Sequence, residues 1–386
     1  MFALNGQVVS SMGNAYAGTA VNIGDSSVGY SNPAGLATLK NHQVSLAGFL
    51  HHDTLKVSSM NALTTDGNQV IGLNPAKSKV NYLIPGLHAA VKANRYLTLG
   101  LNCTSPYGFK TSLAPSSIVR YKDVASKLTS YDLSPSVGIK LSSAYYLGIG
   151  LDWLQLTTTL QNYISETTLQ TIKASGNQLG FHAGVLWIPS KLMRIGLTYH
   201  SGFNVKLKGS LKSAAVDQSI TSRLKLPDKI VYSIVADVEP DWSMMANIER
   251  VNWSRLKDFT VEKSNATYVT TSWLLKDTWR FALGFDYRVR AWILKCGFAF
   301  EQGANRARQT TLRVPDSNSY QLACGLSYGF NKNFSIDFGY AHLFYRGAKI
   351  TQSGFQTNTG VTADTLNGGY ESSIDILGIQ LNLKIA

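Results

Sequence analysis

The stretch Ser319-Tyr320-Gln321-Leu322-Ala323-Cys324-Gly325-Leu326-Ser327-Tyr328-Gly329-Phe330 decides the fold. Tyr320, Leu322, Cys324, Leu326, Tyr328 and Phe330 fall on one parity, and Gln321, Ala323, Gly325, Ser327 and Gly329 on the other. Alternation with a period of two is the signature of a β-strand, whose successive side chains point to opposite faces. One face here is large and apolar, and the other is small or polar. The following segment repeats the pattern, with Phe334, Ile336, Phe338, Tyr340 and Phe344 opposite Ser335, Asp337, Gly339 and Ala341. Upstream, Trp279, Phe281, Leu283, Phe285 and Tyr287 alternate with Arg280, Ala282, Gly284, Asp286 and Arg288, and Trp292, Leu294, Cys296, Phe298 and Phe300 form another row. At the C-terminal end Leu377, Ile379, Leu381, Leu383 and Ile385 alternate with Gln380, Asn382 and Lys384.

A soluble sandwich also alternates, so two further features decide. The apolar rows begin and end with Trp, Tyr or Phe, as aromatic girdles do at the two membrane interfaces. The connections alternate in length. Those near Lys92–Arg95, Ser142–Tyr145, Pro189–Lys191, Glu239–Asp241, Val289–Ala291 and Asn331–Asn333 are tight, whereas 59–78, 108–128, 164–176, 209–223, 255–275, 303–318 and 348–369 read as longer polar loops. Short turns on one side and long loops on the other belong to an outer-membrane barrel. The pattern gives an all-β, transmembrane antiparallel β-barrel of about fourteen strands, an even number that suits such barrels. It runs from residue 43 to 386. Residues 1–42 lack a strand pattern and are rich in Gly, Ala and Ser, with a short helix expected over Ser10–Val21 and a turn at Ser31-Asn32-Pro33-Ala34-Gly35. A barrel of this size has interior space beyond its side chains, so this segment is expected to fill the lumen as a plug.

Composition agrees. The chain has 386 residues and a net charge of +13, yet only 15% of its residues are charged and 11% are aromatic. That much apolar material excludes a disordered chain, and the absence of an apolar run of about 18 residues excludes a helical membrane protein. No Pro-rich or Gly/Ser-rich linker divides the chain. Cys103, Cys296 and Cys324 are odd in number, lack metal-type spacing and read as small apolar residues on the strand rows. No export signal is visible, which fits a mature chain carrying an added Met.

At this point the chain resembles the FadL-type long-chain fatty acid and hydrocarbon transporters of the outer membrane. Phe2-Ala3-Leu4-Asn5, Gly13-Asn14-Ala15-Tyr16-Ala17-Gly18 and Asn32-Pro33-Ala34 resemble the family's hatch, and Thr104-Ser105-Pro106-Tyr107-Gly108 its third strand. Leu226-Pro227-Asp228, Glu239-Pro240-Asp241-Trp242 and Asn252-Trp253-Ser254 resemble its eighth and ninth strands, and Lys276 to Gly284 its tenth. Val314-Pro315-Asp316 and Gly329-Phe330-Asn331-Lys332 flank the twelfth. The order and spacing of these motifs carry the resemblance over essentially the whole chain. It implies passive uptake without a cofactor or metal: capture at extracellular loops, a lumenal pocket that includes Phe2 and Leu4, rearrangement of a hatch gated at Asn32, Pro33 and Ala34, and lateral exit through a gap at the kinked third strand. It implies long-chain fatty acids as ligands, with neutral or aromatic hydrocarbons as the alternative.

The residues support the kink independently. Pro106 has no N–H and must interrupt a ladder, and Gly108 loosens the same stretch, so a break is expected at Ser105, Pro106, Tyr107 and Gly108. On the preceding strand the apolar parity changes from Val80, Tyr82 and Ile84 to Leu87, Ala89 and Val91 across Pro85-Gly86, which predicts a bulge. The basic positions that meet a fatty acid carboxylate in the family fall here at Asn162 and Thr271, neither of them basic; Lys173, Lys263 and Lys276 stand nearby. The chain ends Lys384-Ile385-Ala386 rather than in an aromatic residue, as in a variant or trimmed end. The basic residues are dispersed, without a nucleic-acid signature; they suit anionic lipopolysaccharide and outer-membrane lipids as partners of a monomer. No nucleophile motif such as G-x-S-x-G is present, so no catalytic residue is assigned. A general aqueous porin is the competing class.

Overall fold

The computed structural model describes residues 3–4, 7–64, 67–263, 266–272, 275–305, 313, 316–353 and 363–385. Among these, fourteen antiparallel strands form one closed sheet: β1 (His42–Thr64), β2 (Ala76–Lys92), β3 (Leu97–Thr104 and Gly108–Ser112), β4 (Ala125–Lys140), β5 (Tyr145–Tyr163), β6 (Leu169–Ser190), β7 (Met193–His200 and Asn204–Ser213), β8 (Val216–Lys225 and Lys229–Asp237), β9 (Trp242–Val251 and Asp258–Lys263), β10 (Ala266–Ser272 and Thr278–Val289), β11 (Trp292–Glu301), β12 (Ser319–Gly329), β13 (Phe334–Tyr345 and Ala348–Ser353) and β14 (Ala363–Ile385). Each pairs with its neighbours in sequence, and β14 closes on β1 from His42↔Ile385 upward.

The apolar rows face outward. Leu322 on β12 is 53% exposed and Leu151 on β5 is 60% exposed, while Gln321 and Ser327 are buried. A sandwich in water would reverse this. On β5 the outward row runs Tyr145, Leu147, Ile149, Leu151, Trp153. The eight rises from Tyr145 to Trp153, about 3.3 Å each and tilted by about 40°, span roughly 20 Å, close to the apolar band of an outer-membrane barrel. Rings pair across strands at the short-turn end of this belt: Tyr145 with Trp187 at 6.2 Å, Trp242 with Tyr287 at 4.6 Å and Trp292 with Tyr328 at 4.2 Å. Cys296 and Cys324, directly opposite on β11 and β12, lie in the exposed row, and half-buried Cys103 on β3 faces the same way; all three are free thiols.

Beyond the belt the polarity inverts. On β5 the outward residues become Gln155, Thr157 and Thr159, and the inward ones become Leu154 and Leu156. On β7 and β8 the outward residues are Lys206, Lys208, Arg223 and Lys225, while Val205, Leu207, Leu224 and Leu226 turn inward. The barrel therefore continues past the membrane as a cup with a polar exterior and an apolar interior.

Two expectations are corrected. Pro85-Gly86 carries no bulge: β1 and β2 stay in register from Gln43↔Ala90 to Val57↔Ala76, with Gly48 opposite Pro85. The apolar parity changes because Leu83 and Leu87 face lipid, whereas Ile84 packs inward on Val9 and Met12 of the N-terminal segment and Val80 lines an interior cavity. Several long polar loops are also mostly strand. Only residues 164–168 separate β5 from β6, and only 214–215 separate β7 from β8. Polar residues facing water satisfy a ladder as well as apolar ones do, so polarity alone misreads these hairpins as loops.

Residues 7–41 contain no barrel strand and pack against the inner wall through short turns at Val9–Asn14, Thr19–Val21, Val28–Ser31 and Pro33–Thr38. The helix expected over Ser10–Val21 is interrupted by Ala15, Tyr16 and Gly18, which have positive φ of 49°, 59° and 73°. Small inward residues make room for the segment. A Cβ at Gly148 on β5 would lie 2.2 Å from the backbone of Pro33 and Ala34. The small row that identified β12 as a strand is therefore also where the N-terminal segment lies against the wall: Gly325 meets Gly13 backbone to backbone.

Candidate ligand cavity and wall break

The β2–β3 ladder runs only from Lys92↔Thr98 to Leu87↔Cys103. Above it β3 stops at Thr104 and resumes at Gly108. Because Thr104 faces Asp132 and Gly108 faces Thr129, three residues of β3, Ser105 to Tyr107, oppose two of β4. The chain leaves the ladder at Pro106, which cannot donate to it. Above Leu87 the described β2 residues form no ladder pair with β3; Ser112 N–H reaches Ser78 Oγ at 2.9 Å, near the top of the break.

Other groups satisfy the interrupted backbone. Gln7 grips Ser105 with both ends of its amide: Nε2 donates to Ser105 O, and Oε1 accepts from Ser105 N–H, each at 2.8 Å. Leu4 N–H donates to Pro106 O at 2.9 Å, and Ala3 bridges to Tyr107 as one antiparallel pair. Tyr107 N–H donates to Ser130 Oγ, which donates back to Tyr107 O. The Tyr107 ring turns into the lumen, edge-on to Phe203 at 6.4 Å, and its hydroxyl donates to Pro227 O at 3.3 Å. Among the expected site residues, the structure brings Leu4 together with Pro106, Tyr107 and Gly108. Phe2 lies outside the described residues.

Asn32, Pro33 and Ala34 sit deeper, against β4, β5 and β6. Asn32 Nδ2 donates to Ala20 O at 2.7 Å and to Val185 O at 3.1 Å, and its Oδ1 accepts from Ala34 N–H and caps the turn. This completely buried side chain ties the segment to itself and to the wall.

Two cavities meet at the break. One is lined by Leu4, Tyr30, Pro106, Tyr107, Asp152 and His200, among others. The other lies between the break and β1, with Leu4, His51, Asp53, Val80, Tyr82 and Ile374 in its wall. Above them Leu154, Leu156, Phe203, Leu207, Leu226 and Trp253 belong to one apolar cluster that faces the cup, and Ala3 and Phe109 pack on it.

A polar brace beneath the cup was not legible as a motif. His182 Nδ1 faces Asp152 Oδ1 at 2.7 Å, its Nε2 faces Gly29 O at 3.1 Å, and its ring stacks on His200 at 5.4 Å. Asp152, His182 and His200 present ligand atoms within 4.8 Å of one another, the described grouping best suited to a metal. Both nitrogens of His182 are already engaged, however, so the arrangement is that of a brace on the N-terminal segment. The sequence signal was the shared inward parity of Asp152 and His182 on neighbouring strands.

At Asn162 a cation arrives from elsewhere in the chain. Asn162 Oδ1 accepts from an Arg313 guanidinium nitrogen at 3.1 Å, and another donates to Asp123 at 3.2 Å and Ser126 at 3.1 Å. Burial pushes the Asp123 carboxyl up and the Arg313 guanidinium down, and each opposes the shift of the other. Lys173 and Lys276 are exposed, Lys263 is half-buried, and the side chain of Thr271 lies outside the described residues.

A closed barrel with a lipid-facing belt, a filled lumen, an apolar cup and a break in one wall defines an outer-membrane transport protein. Residues 1–384 match the family of outer membrane protein transport proteins (OMPP1/FadL/TodX), and the chain belongs to that family, as a protein of the Gram-negative outer membrane. It is 23% identical to the long-chain fatty acid transport protein of Salmonella typhi, over 92% of this chain and 90% of that one. A Pseudomonas aeruginosa FadL homologue superposes with a TM-score of 0.93 at 20% identity over 100% of both chains. The Ralstonia pickettii toluene transporter TbuX gives 0.72 at 19% identity over 99% of this chain and 98% of that one.

Proposed function

We propose that the chain carries hydrophobic molecules, long-chain fatty acids first among them, passively from the cup to the membrane through the break in β3. The carrying observation is that Ala3 and Leu4 stand in for strand pairing at Pro106 and Tyr107, where the cup, the cavities and the wall opening converge. An oily solute gains roughly 25 cal/mol for each Å² of apolar area kept from water. The apolar cup supplies that gain on capture, and sideways exit preserves it.

In this reading residues 1–42 act as the hatch and 43–386 as the barrel. Leu4 and Phe2 close the ligand pocket, and Asn32, Pro33 and Ala34 form the gate that yields or holds. No cofactor or catalytic step is required, and the protein works as a monomer. The named relatives divide between fatty acid and toluene transport, and neutral or aromatic hydrocarbons are the second ligand class by the same route. Mass spectrometry of ligand retained by detergent-purified protein, with oleate competing against toluene, tests the assignment. Retained oleate supports it, oleate rejected in favour of toluene selects the second class, and retention of neither overturns it. Steady ion conductance in planar bilayers would instead favour a porin.

We also assign the outward cations just above the belt to anionic lipopolysaccharide. Lys206 and Arg223 stand directly opposite on β7 and β8, with Lys208 and Lys225 diagonal to them and all four exposed. Like charges opposite one another destabilise a sheet, and lipid phosphates at that height would relieve the repulsion. Replacing all four with Gln is expected to lower co-purifying lipopolysaccharide; unchanged content refutes the assignment.

A further inference from the structure

The cavity beside the break contains a polar pair that an all-apolar ligand would leave unused. His51 on β1 is 3% exposed, and neither ring nitrogen has a hydrogen-bond partner among the described residues. Asp53, two residues on and facing the same way, has Oδ1 equally unpartnered, 3.9 Å from His51 Nδ1. Both side chains are held by one neighbour. Tyr82 lies opposite His51 in the β1–β2 register, stacks on its ring at 4.9 Å and 18°, and donates its hydroxyl to Asp53 Oδ2 at 2.8 Å. The ring and the carboxylate are therefore fixed before any ligand arrives.

Resting on the transport reading above, we propose that this cavity selects hydrophobic molecules bearing a hydroxyl group. An imidazole N–H is a donor and a carboxylate oxygen an acceptor, and a hydroxyl is both acceptor and donor. An oxygen placed about 2.8 Å from each subtends an angle of about 90° between them, which suits a group that accepts one hydrogen bond and donates the other. A hydrocarbon would bury both groups unpaired, and a carboxylate would meet the like charge of Asp53. Leu4, Leu55, Val80, Leu343, Ile374 and Ile376 line the same cavity and supply room for the apolar body. Lys110 and Arg313 also line it; Arg313 is engaged by Asp123 and Asn162.

The test compares three ligands with one tail, 4-octylphenol, octylbenzene and 4-octylbenzoate, by ligand-retention mass spectrometry on the full chain, corrected for detergent partition. The phenol is expected to be retained about tenfold better than octylbenzene, as two hydrogen bonds to preorganised groups allow. His51→Phe keeps the stack on Tyr82 and should abolish that preference, bringing phenol and octylbenzene to equal retention. Asp53→Asn should weaken the preference of phenol over octylbenzene. Equal retention of phenol and octylbenzene by the wild type would overturn the proposal and leave the transport reading standing. Tightest retention of the benzoate would overturn it and point to Lys110 as a carboxylate partner. Retention of none would overturn both.

Discussion

The grip of Gln7 on Ser105 offers the sharpest test of how the wall break is held. In Gln7→Ala both hydrogen bonds at 2.8 Å disappear. The Ser105 N–H and C=O then have no ladder partner, because Pro106 follows and the β2–β3 ladder ends at Cys103. Two hydrogen bonds contribute about 2 kcal/mol, rising to about 4 kcal/mol if water reaches neither group, since a buried unpaired group costs about 1–3 kcal/mol. At 1.4 kcal/mol per factor of ten, opening of this segment should become roughly 30- to 1,000-fold more frequent. Hydrogen exchange at the Ser105 amide reads that frequency directly. Protection there should fall by this factor while amides of Leu97–Asn102, in the intact ladder, keep theirs. Gln7→Glu retains an acceptor for Ser105 N–H but removes the donor to Ser105 O, so its effect should be intermediate. Unchanged protection at Ser105 in the alanine variant would show that the barrel itself, and not the N-terminal segment, holds the break.

Three further outcomes follow from the same geometry. Gly148→Leu places a side chain where backbone atoms of Pro33 and Ala34 lie 2.2 Å from the Cβ position; the segment should be displaced, and limited proteolysis should cut within 7–40 while the barrel resists. His182→Ala removes the partner of a carboxylate that is nearly fully buried, costing about 3–5 kcal/mol, whereas Asp152→Asn keeps an acceptor and should cost about 1–2 kcal/mol; loss of amide protection over 28–36 measures both, and equal effects would refute the brace. Glu166 is held below the usual carboxylate range by hydrogen bonds from Tyr121 and Arg120. A depressed carboxyl contributes stability above its unfolded pKa that is lost as pH falls through its folded value, so exchange over 116–123 should rise on acidification below the ordinary carboxylate range, and Glu166→Gln should abolish that dependence.

The strand rhythm was legible in the order of residues alone. Tyr320 to Phe330 alternates because each strand meets lipid on one face and a filled lumen on the other, and that asymmetry is local enough to read residue by residue. The break at Ser105–Gly108 was legible for the same reason: Pro106 lacks a donor in any context. Tertiary structure decided which way each face points. Val80 and Ile84 are as apolar as Leu83 and Leu87, yet they turn inward, Ile84 onto Val9, Met12 and Tyr16 of the N-terminal segment and Val80 onto the cavity beside the break. An apolar residue that faces the N-terminal segment or a cavity reads like one that faces lipid, so the sequence suggested a bulge at Pro85-Gly86 where the ladder is continuous. The cation beside Asn162 and the braces on the N-terminal segment were likewise beyond linear reading. Arg313 lies 151 residues from Asn162, and Gln7 lies 98 from Ser105; only closure of the barrel, which fixes every strand relative to the segment inside it, brings such pairs within hydrogen-bonding distance.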